Sequence, residues 1–326
     1  MNPLFSIIVP VYNRAHCVTR TLDSIVASTY RPLELLIVDN ASSDSSYQVC
    51  QEWSRQHRSQ LQDFDVQVLS ESKPGGNAAR NCGLRACRGS YVFFFDSDDL
   101  FCGTALDDVA KAVNASRKNE ESVGPDLLFL PTEQEYNGHV NVRAYRKSQA
   151  VHVQILSAMC CTQSMVFRTK WLQNIGGWDE RLSVWQDWEL GIRALQHKPR
   201  MVWLCEKAYH HVFVHTDSVT GGSLSQTLAG TLRTMRCVVT EVKESKELTQ
   251  RERSLALLAL YYRSMIFSGL LRREGNREGQ KAYRILASEV MPHAQLRHRI
   301  FGAMLTIYVA LGGRGAWRLA LGILLA

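Results

Sequence analysis

No run of about 18 clean apolar residues occurs in this 326-residue chain, so no membrane-spanning helix is clear from the sequence. The nine cysteines form no Cys-x-x-Cys pair, which excludes the usual zinc-ribbon and thioredoxin-like sites. Reduced thiols in a reducing compartment are the simplest reading. Gly-x-x-x-x-Gly-Lys-Ser/Thr is missing, so there is no P-loop. The opening residues carry no basic segment, and their apolar run stops at Pro10, so no signal peptide is predicted and a cytoplasmic protein is expected. No RNA- or DNA-binding motif is visible, and nucleic acid is not an expected partner.

What is present is an ordinary globular composition, 45% hydrophobic, with a net charge of +7. The charge is unevenly spread. From Arg251 onward there are twelve Lys/Arg against four Asp/Glu, a surplus of eight, so the first 250 residues carry a net −1. A nearly neutral body is followed by a basic region.

Short apolar runs at Phe5–Val11, Glu34–Val38, Val66–Leu69 and Tyr91–Phe95 read as strands buried on both faces. Between them, Ala15–Ser28, Ser43–Arg58 and Asn77–Arg88 read as helices. Ser42, Ser43 and Asp44 are candidate caps for the second helix, and Gly89 stops the third. This β-α-β-α-β-α-β order predicts an α/β fold with a mostly parallel central sheet and helices on both faces. Downstream, strands are expected at Leu127–Pro131, Asn141–Tyr145, Met201–Cys205 and Tyr209–Val214, and a helix at Trp185–Gln196. From about Ser225 the chain reads as all-helical. A boundary near Gly221-Gly222-Ser223 gives a first domain over 1–222 and a helical, basic region over 223–326.

Ligands of open parallel sheets bind at the carboxyl ends of the strands. There the sequence sets Tyr12-Asn13, Asp39-Asn40, Lys73-Pro74-Gly75-Gly76 and Asp96-Ser97-Asp98-Asp99. Three carboxylates within four residues repel one another unless a cation neutralises them, and hard oxygens suit Mg²⁺ or Mn²⁺. A solvated, helix-capping turn is the plainer alternative. Asp39 either caps a helix or hydrogen-bonds a nucleoside. Arg80, on the helix opened by the two glycines, pairs with phosphate or with a site carboxylate, or is a surface charge. Asp187, between Trp185 and Trp188, sits in a partly apolar setting suited to a general base. Glu189 falls on another face of that helix. The tryptophans either stack on a sugar or fill the core. His215, with Asp217 and Ser218, is a further metal or diphosphate candidate, and His210-His211 a weaker one.

Taken in order, Ser6-Ile7-Ile8-Val9-Pro10-Val11-Tyr12-Asn13-Arg14, Ile37-Val38-Asp39-Asn40, Ala79-Arg80-Asn81-x-Gly83, Phe94-Phe95-Asp96-Ser97-Asp98-Asp99, Gly176-Gly177-Trp178-Asp179-Glu180 and Gln186-Asp187-Trp188 resemble the family 2 inverting glycosyltransferases. The likeness covers roughly residues 3–222. It implies the A-type nucleotide-sugar fold. It also implies Pro10, Val11, Tyr12, Asn13 and Asp39 at the nucleoside, with Arg80 near its pocket. Asp96, Ser97 and Asp98 would lie at the ribose and diphosphate, Asp98 and Asp99 at a divalent metal for which His215 is the candidate ligand already noted, and Asp187 would be the catalytic base. The family usually has Glu-Asp at the base, and here Gln186 replaces the Glu. The processive Gln-x-x-Arg-Trp motif is absent, which implies transfer of a single sugar.

The expected activity is therefore transfer from a nucleotide diphosphate-sugar, UDP by family precedent, to a hydroxyl of a lipid-linked or cell-surface glycan. Two rival readings are a phosphohydrolase with Asp96 as nucleophile and a non-catalytic nucleotide-sugar binder, at which only Gln186 hints. In the basic region, Ser254–Leu271, Ile300–Leu311 and Ala316–Leu325 are apolar stretches. They suit peripheral attachment to the anionic inner face of the cytoplasmic membrane, or packing on the body, or a homo-oligomer interface.

Overall fold

A computed structural model describes residues 2–58, 62–119, 123–136, 138–143, 147–204, 207–213 and 223–325. Along the chain run β1 (Phe5–Val11), α1 (Val18–Val26), β2 (Leu33–Asp39), α2 (Ser46–His57), β3 (Phe64–Ser70), α3 (Gly76–Ala86) and β4 (Tyr91–Phe94). Next come α4 (Ala105–Asn119), β5 (Leu127–Phe129), β6 (Thr132–Tyr136), β7 (His139–Arg143), α5 (Val151–Ser157), β8 (Met165–Arg168) and α6 (Thr169–Asn174). They are followed by α7 (Gln186–Gln196), β9 (Met201–Trp203), β10 (Tyr209–Phe213), α8 (Leu228–Glu244), α9 (Gln250–Arg273), α10 (Arg277–Val290), α11 (Leu296–Ala310) and α12 (Ala316–Leu325).

The chain folds as two compact units: Met1–Lys147, Cys161–Ser183 and Pro199–His215 form the first, and Ser148–Cys160, Val184–Lys198 and Thr216–Ala326 the second. This partition interleaves the chain instead of cutting it once near residue 222. Helices α5 and α7 group with the C-terminal helices, and Gly221 and Gly222 lie outside the described residues.

The first unit is built on a seven-stranded sheet of order β3-β2-β1-β4-β8-β5-β9, accompanied by a three-stranded sheet of order β10-β6-β7. Strands β1 to β4 are parallel as expected, and β8 enters antiparallel between β4 and β5. The sequence reading missed β8, β6, α4, α5 and α6. Met165–Arg168 is only four residues long and keeps too little pattern to be told from a helix end. In β1, Phe5, Ile7, Val9 and Val11 share the core with Val18, Leu22 and Ile25 of α1 and with Trp53 of α2. Ile8 points the other way, against α3, where a Cβ on Gly83 would lie 2.5 Å from its Cγ2. Both faces are thus covered, which explains why β1 and β2 lack polar alternation.

One charge interrupts β2. Glu34 is fully buried; it accepts from the Ser6 hydroxyl at 2.5 Å, the Arg88 backbone N–H at 2.8 Å and Arg88 Nε at 2.6 Å. Gly89 lets the chain pass close to β1, because a Cβ there would sit 2.6 Å from the Ser6 backbone nitrogen. Gly89 is therefore a packing requirement and not the helix stop expected of it, since α3 already ends at Ala86 with Cys87 in an extended conformation as its C-cap.

The second unit is helical, with α9 at its centre. Arg263, in the middle of α9, lies over the rings of Trp185, Trp188 and Phe267 at 5.1, 4.8 and 4.8 Å. It also donates to the Ile155 carbonyl at 2.7 Å.

Replacing Arg88 with alanine leaves Glu34 buried with one oxygen stripped of its donor. We expect a loss of about 1–3 kcal/mol, read as a lower urea midpoint at unchanged slope. Adding Glu34→Gln should recover part of the loss, since it removes the stranded charge.

Candidate functional site

The parallel register sets Val11 beside Asp39 and Asp39 beside Ser70, so the ends of β1, β2 and β3 form one rim. The chain leaving β1 turns sharply at Asn13, whose φ of 52° is one asparagine tolerates. Its backbone N–H donates to Ser42 Oγ at 3.0 Å, and its Oδ1 accepts from the Ser43 N–H at 2.8 Å. Asn13 thus fastens the turn after β1 to the turn after β2. Ser42 and Ser43, expected as helix caps, serve this latch. Asp44 instead accepts from the Ser46 N–H at 2.9 Å, at the start of α2. Pro10 is half-buried, Val11 buried and Tyr12 59% exposed at the rim.

Asp39 is 3% exposed. Its Oδ2 accepts from the Ser42 N–H at 3.2 Å, while Oδ1 is buried with no hydrogen-bond partner. A buried carboxylate oxygen without a donor is costly and calls for an explanation. Next to it, Asn40 donates to the carbonyls of Glu71 and Lys73 and accepts from the Gly75 N–H at 2.8 Å, fixing the loop into α3. Gly75 has φ 122°, a conformation side chains resist, and a Cβ on Gly76 would meet Arg80 Nη1 at 3.1 Å. The two glycines therefore make room for the turn and for Arg80.

Arg80 is no surface charge. It is 8% exposed, lies 4.8 Å over the Trp178 ring, and donates from Nη2 to Asp96 Oδ1 at 2.7 Å. Of the three alternatives, pairing with a site carboxylate is the one observed.

The acidic run after β4 does not act as one trio. Asp96 accepts from Arg80 and, through Oδ2, from Gln163 Nε2 at 2.8 Å. Asp99 is 2% exposed; its Oδ2 accepts from the same Gln163 amide at 2.5 Å and its Oδ1 from the Phe213 N–H at 2.9 Å. Burial, reinforced by the neighbouring charge of Asp96, pushes the Asp99 carboxyl up to about 8. Asp98 faces Arg14 at 3.3 Å with 22% of its side chain exposed. Ser97 is buried. Of the carboxylates expected at a metal, Asp98 is the partly open one, and its hard oxygens fit Mg²⁺ or Mn²⁺, which needs only one or two protein carboxylates. Asp99 fits less well, being buried and already engaged at both oxygens. His215, Asp217 and Ser218 lie outside the described residues.

Gln163, which ties two of these carboxylates together, was not foreseen. It follows the adjacent cysteines Cys160 and Cys161, and no motif marks it. His210 is a core residue. It is fully buried, ringed by Phe93, Phe95 and Phe101, and burial pushes it down to about 3. His211 lies between Glu133 and Glu135, at 3.3 and 2.8 Å.

Asp187 belongs to the second unit, in the first turn of α7 behind Trp185, whose φ is 56°. It is half-buried, and its Oδ1 accepts from the Trp188 N–H at 2.8 Å. Glu189 is fully buried and paired with Arg193 at 2.6 Å, so the two acids do point apart. Trp188 is a core aromatic donating to the Ile155 carbonyl at 3.3 Å, whereas Trp185 stays half-buried.

The raised Asp99 value has a pH consequence. The folded protein keeps this proton in a range where the unfolded chain, near 3.8, has lost it. The stability contributed by this group is therefore complete at low pH and is lost as pH rises towards about 8. In EDTA, Asp99→Asn should flatten the fall of the thermal midpoint between about pH 5 and 8. An unchanged slope would assign that fall to other groups.

The family model for glycosyl transferase family 2 matches residues 6–176. Glycosyltransferase GlyA of Streptococcus pneumoniae is 30% identical over 160 residues, 49% of this chain and 22% of that protein. The minor teichoic acid biosynthesis protein GgaA of Bacillus subtilis is 28% identical over 193 residues, 56% of this chain and 41% of that protein. The chain spans only 22%, 32% and 27% of the lengths of GlyA, GlyG and EpsJ. Among solved structures, Staphylococcus aureus TarS 1–349 in complex with UDP-GlcNAc superposes with a TM-score of 0.69 at 19% identity, over 97% of this chain and 90% of that one. The mannosyltransferase PcManGT from Pyrobaculum calidifontis, in complex with GDP-Man and Mn²⁺, gives 0.54 at 17% identity, over 100% and 85%. At these identities the likeness shows the fold, the A type anticipated from the motifs. The family match extends over more than half of the residues and contains the β1, β2, α3 and β4 motifs, so the chain belongs to glycosyl transferase family 2.

Proposed function

We propose that the protein transfers a single sugar from a nucleotide diphosphate-sugar, with UDP as the nucleotide, to an acceptor hydroxyl with inversion at the anomeric carbon. The observation that carries this reading is the buried Asp39 Oδ1 without a donor, at the rim where β1 and β2 end. A nucleobase N–H or a ribose hydroxyl supplies the missing donor. Pro10, Val11 and Tyr12 line the nucleoside, with Asn13 latching the turn that carries them. Arg80 and Asp96 form the floor beside it. The UDP-GlcNAc and GDP-Man bound by the two structural neighbours favour a nucleotide-sugar here as well.

In the reaction, the acceptor oxygen attacks the anomeric carbon from the face opposite the leaving group. The acceptor proton passes to the Asp187 carboxylate, and the bond from the anomeric carbon to the phosphate oxygen breaks. The electron pair leaves with the nucleotide diphosphate. Asp98 would hold a divalent ion, with Asp99 and His215 the further candidates, and the ion when bound offsets charge on the diphosphate. Residues 1–222 would supply donor binding and catalysis, and 223–326 an appended helical region. The teichoic acid role in the name of GgaA favours a cell-surface or lipid-linked glycan as acceptor, met at the cytoplasmic side of the membrane.

Calorimetric titration of UDP-sugars with Mn²⁺ tests donor binding. Asp39→Ala should weaken it about tenfold or more. Asp187→Asn should bind donor normally yet lower turnover by about 10²–10⁴-fold. EDTA should abolish transfer and Mn²⁺ or Mg²⁺ restore it. Undiminished turnover by Asp187→Asn removes that residue from the role of base.

A further inference from the structure

Helix α11 is apolar on two opposite sides. Gly302, Leu305, Thr306 and Val309 are buried on one, with the Thr306 hydroxyl donating to the Met265 carbonyl of α9 at 2.9 Å. The other side carries Leu296, Ile300, Met304 and Ile307, exposed by 70, 52, 59 and 52%, and runs on to Leu311, 83% exposed just past the helix end. Spacings of three and four residues put these five on a single stripe. An outward stripe of this kind has no role in the fold of a helix already packed through its other side.

Charge selects the occupant. Beyond Glu289 the sequence contains no acidic residue, while Arg297, Arg299, Arg314 and Arg318 are all exposed. By helical spacing Arg297 and Arg299 flank the α11 stripe on its two sides. Helix α12 adds Leu319, Ile323 and Leu325, exposed by 48, 47 and 58%. A second copy meeting this surface about a two-fold axis would set arginines against arginines. A sheet of anionic headgroups over an acyl layer matches both the sign and the apolarity.

We infer that α11 and α12 form a membrane-docking surface that lies in the plane of an anionic bilayer, with the Leu296–Leu311 stripe immersed and the arginines at headgroup level. The role falls to these two helices and not to α9. Among the described residues α9 is the one helix long and apolar enough to span a bilayer, but 56% of its apolar window is buried and Arg263 sits in its middle. The inference rests on this surface alone and stands or falls independently of the transferase reading.

The test is sedimentation of the full chain with vesicles of phosphatidylcholine alone and of equal parts phosphatidylcholine and phosphatidylglycerol. Binding should require the anionic lipid and weaken with salt. Ile300→Glu with Ile307→Glu should lower partitioning about tenfold or more, at an unchanged thermal midpoint because both positions face outward. Should that pair perturb folding, Leu311→Glu beyond the helix end serves instead. Arg297→Gln and Arg299→Gln should each cost about fivefold. No pelleting of the wild type with anionic vesicles overturns the inference, as does equal pelleting of the Ile300→Glu/Ile307→Glu protein. A wild type that ignores vesicles but dimerises in a way the glutamates abolish assigns the stripe to a second copy.

Discussion

The chemistry at the end of β4 depends on one buried cation. Arg80 is withdrawn from water onto the face of Trp178, and such a charge is tolerable only with a partner at hydrogen-bond distance. Asp96 supplies it at 2.7 Å. The demand then propagates. The second oxygen of Asp96 shares the Gln163 amide with Asp99, and Asp99 in turn takes the Phe213 N–H of β10. A single chain of hydrogen bonds therefore joins α3, the end of β4, the segment before β8 and the first unit's small second sheet.

This chain divides the labour among three carboxylates that look alike in sequence. Asp96 neutralises a cation. Asp99 is a buried strut whose carboxyl is raised by its surroundings. Asp98 stays partly exposed beside Arg14. Mutual repulsion, which in the sequence argued for a shared metal, is relieved mainly by protein donors. Under the proposed function, a divalent ion would fall to Asp98.

Much of this was legible in the residue pattern. Strands β1 to β4 and their helices follow from apolar runs and Gly/Ser punctuation, because a sheet covered on both faces leaves an unambiguous imprint. The rim positions Asp39 and Asp96–Asp99 follow from the rule that loops after parallel strands carry function. Strand β8 was not legible, since four residues inserted antiparallel from a distant part of the chain carry no period of their own. Gln163 was hidden for a related reason. Its role exists only because β8 brings the preceding turn to the end of β4. The grouping of α7 with the C-terminal helices was likewise invisible, as it reflects Arg263 packing on Trp185 and Trp188 across about 75 positions of sequence.

The account turns on Asp39 and Asp98 meeting the two ends of a nucleoside diphosphate. A crystal structure with UDP and Mn²⁺, read with the manganese anomalous signal, tests this most directly. The account predicts a base or ribose donor on Asp39 Oδ1 and an anomalous peak coordinated by Asp98. Nucleotide bound away from the β1–β2 rim, with Oδ1 still lacking a donor and no manganese at Asp98, would contradict it.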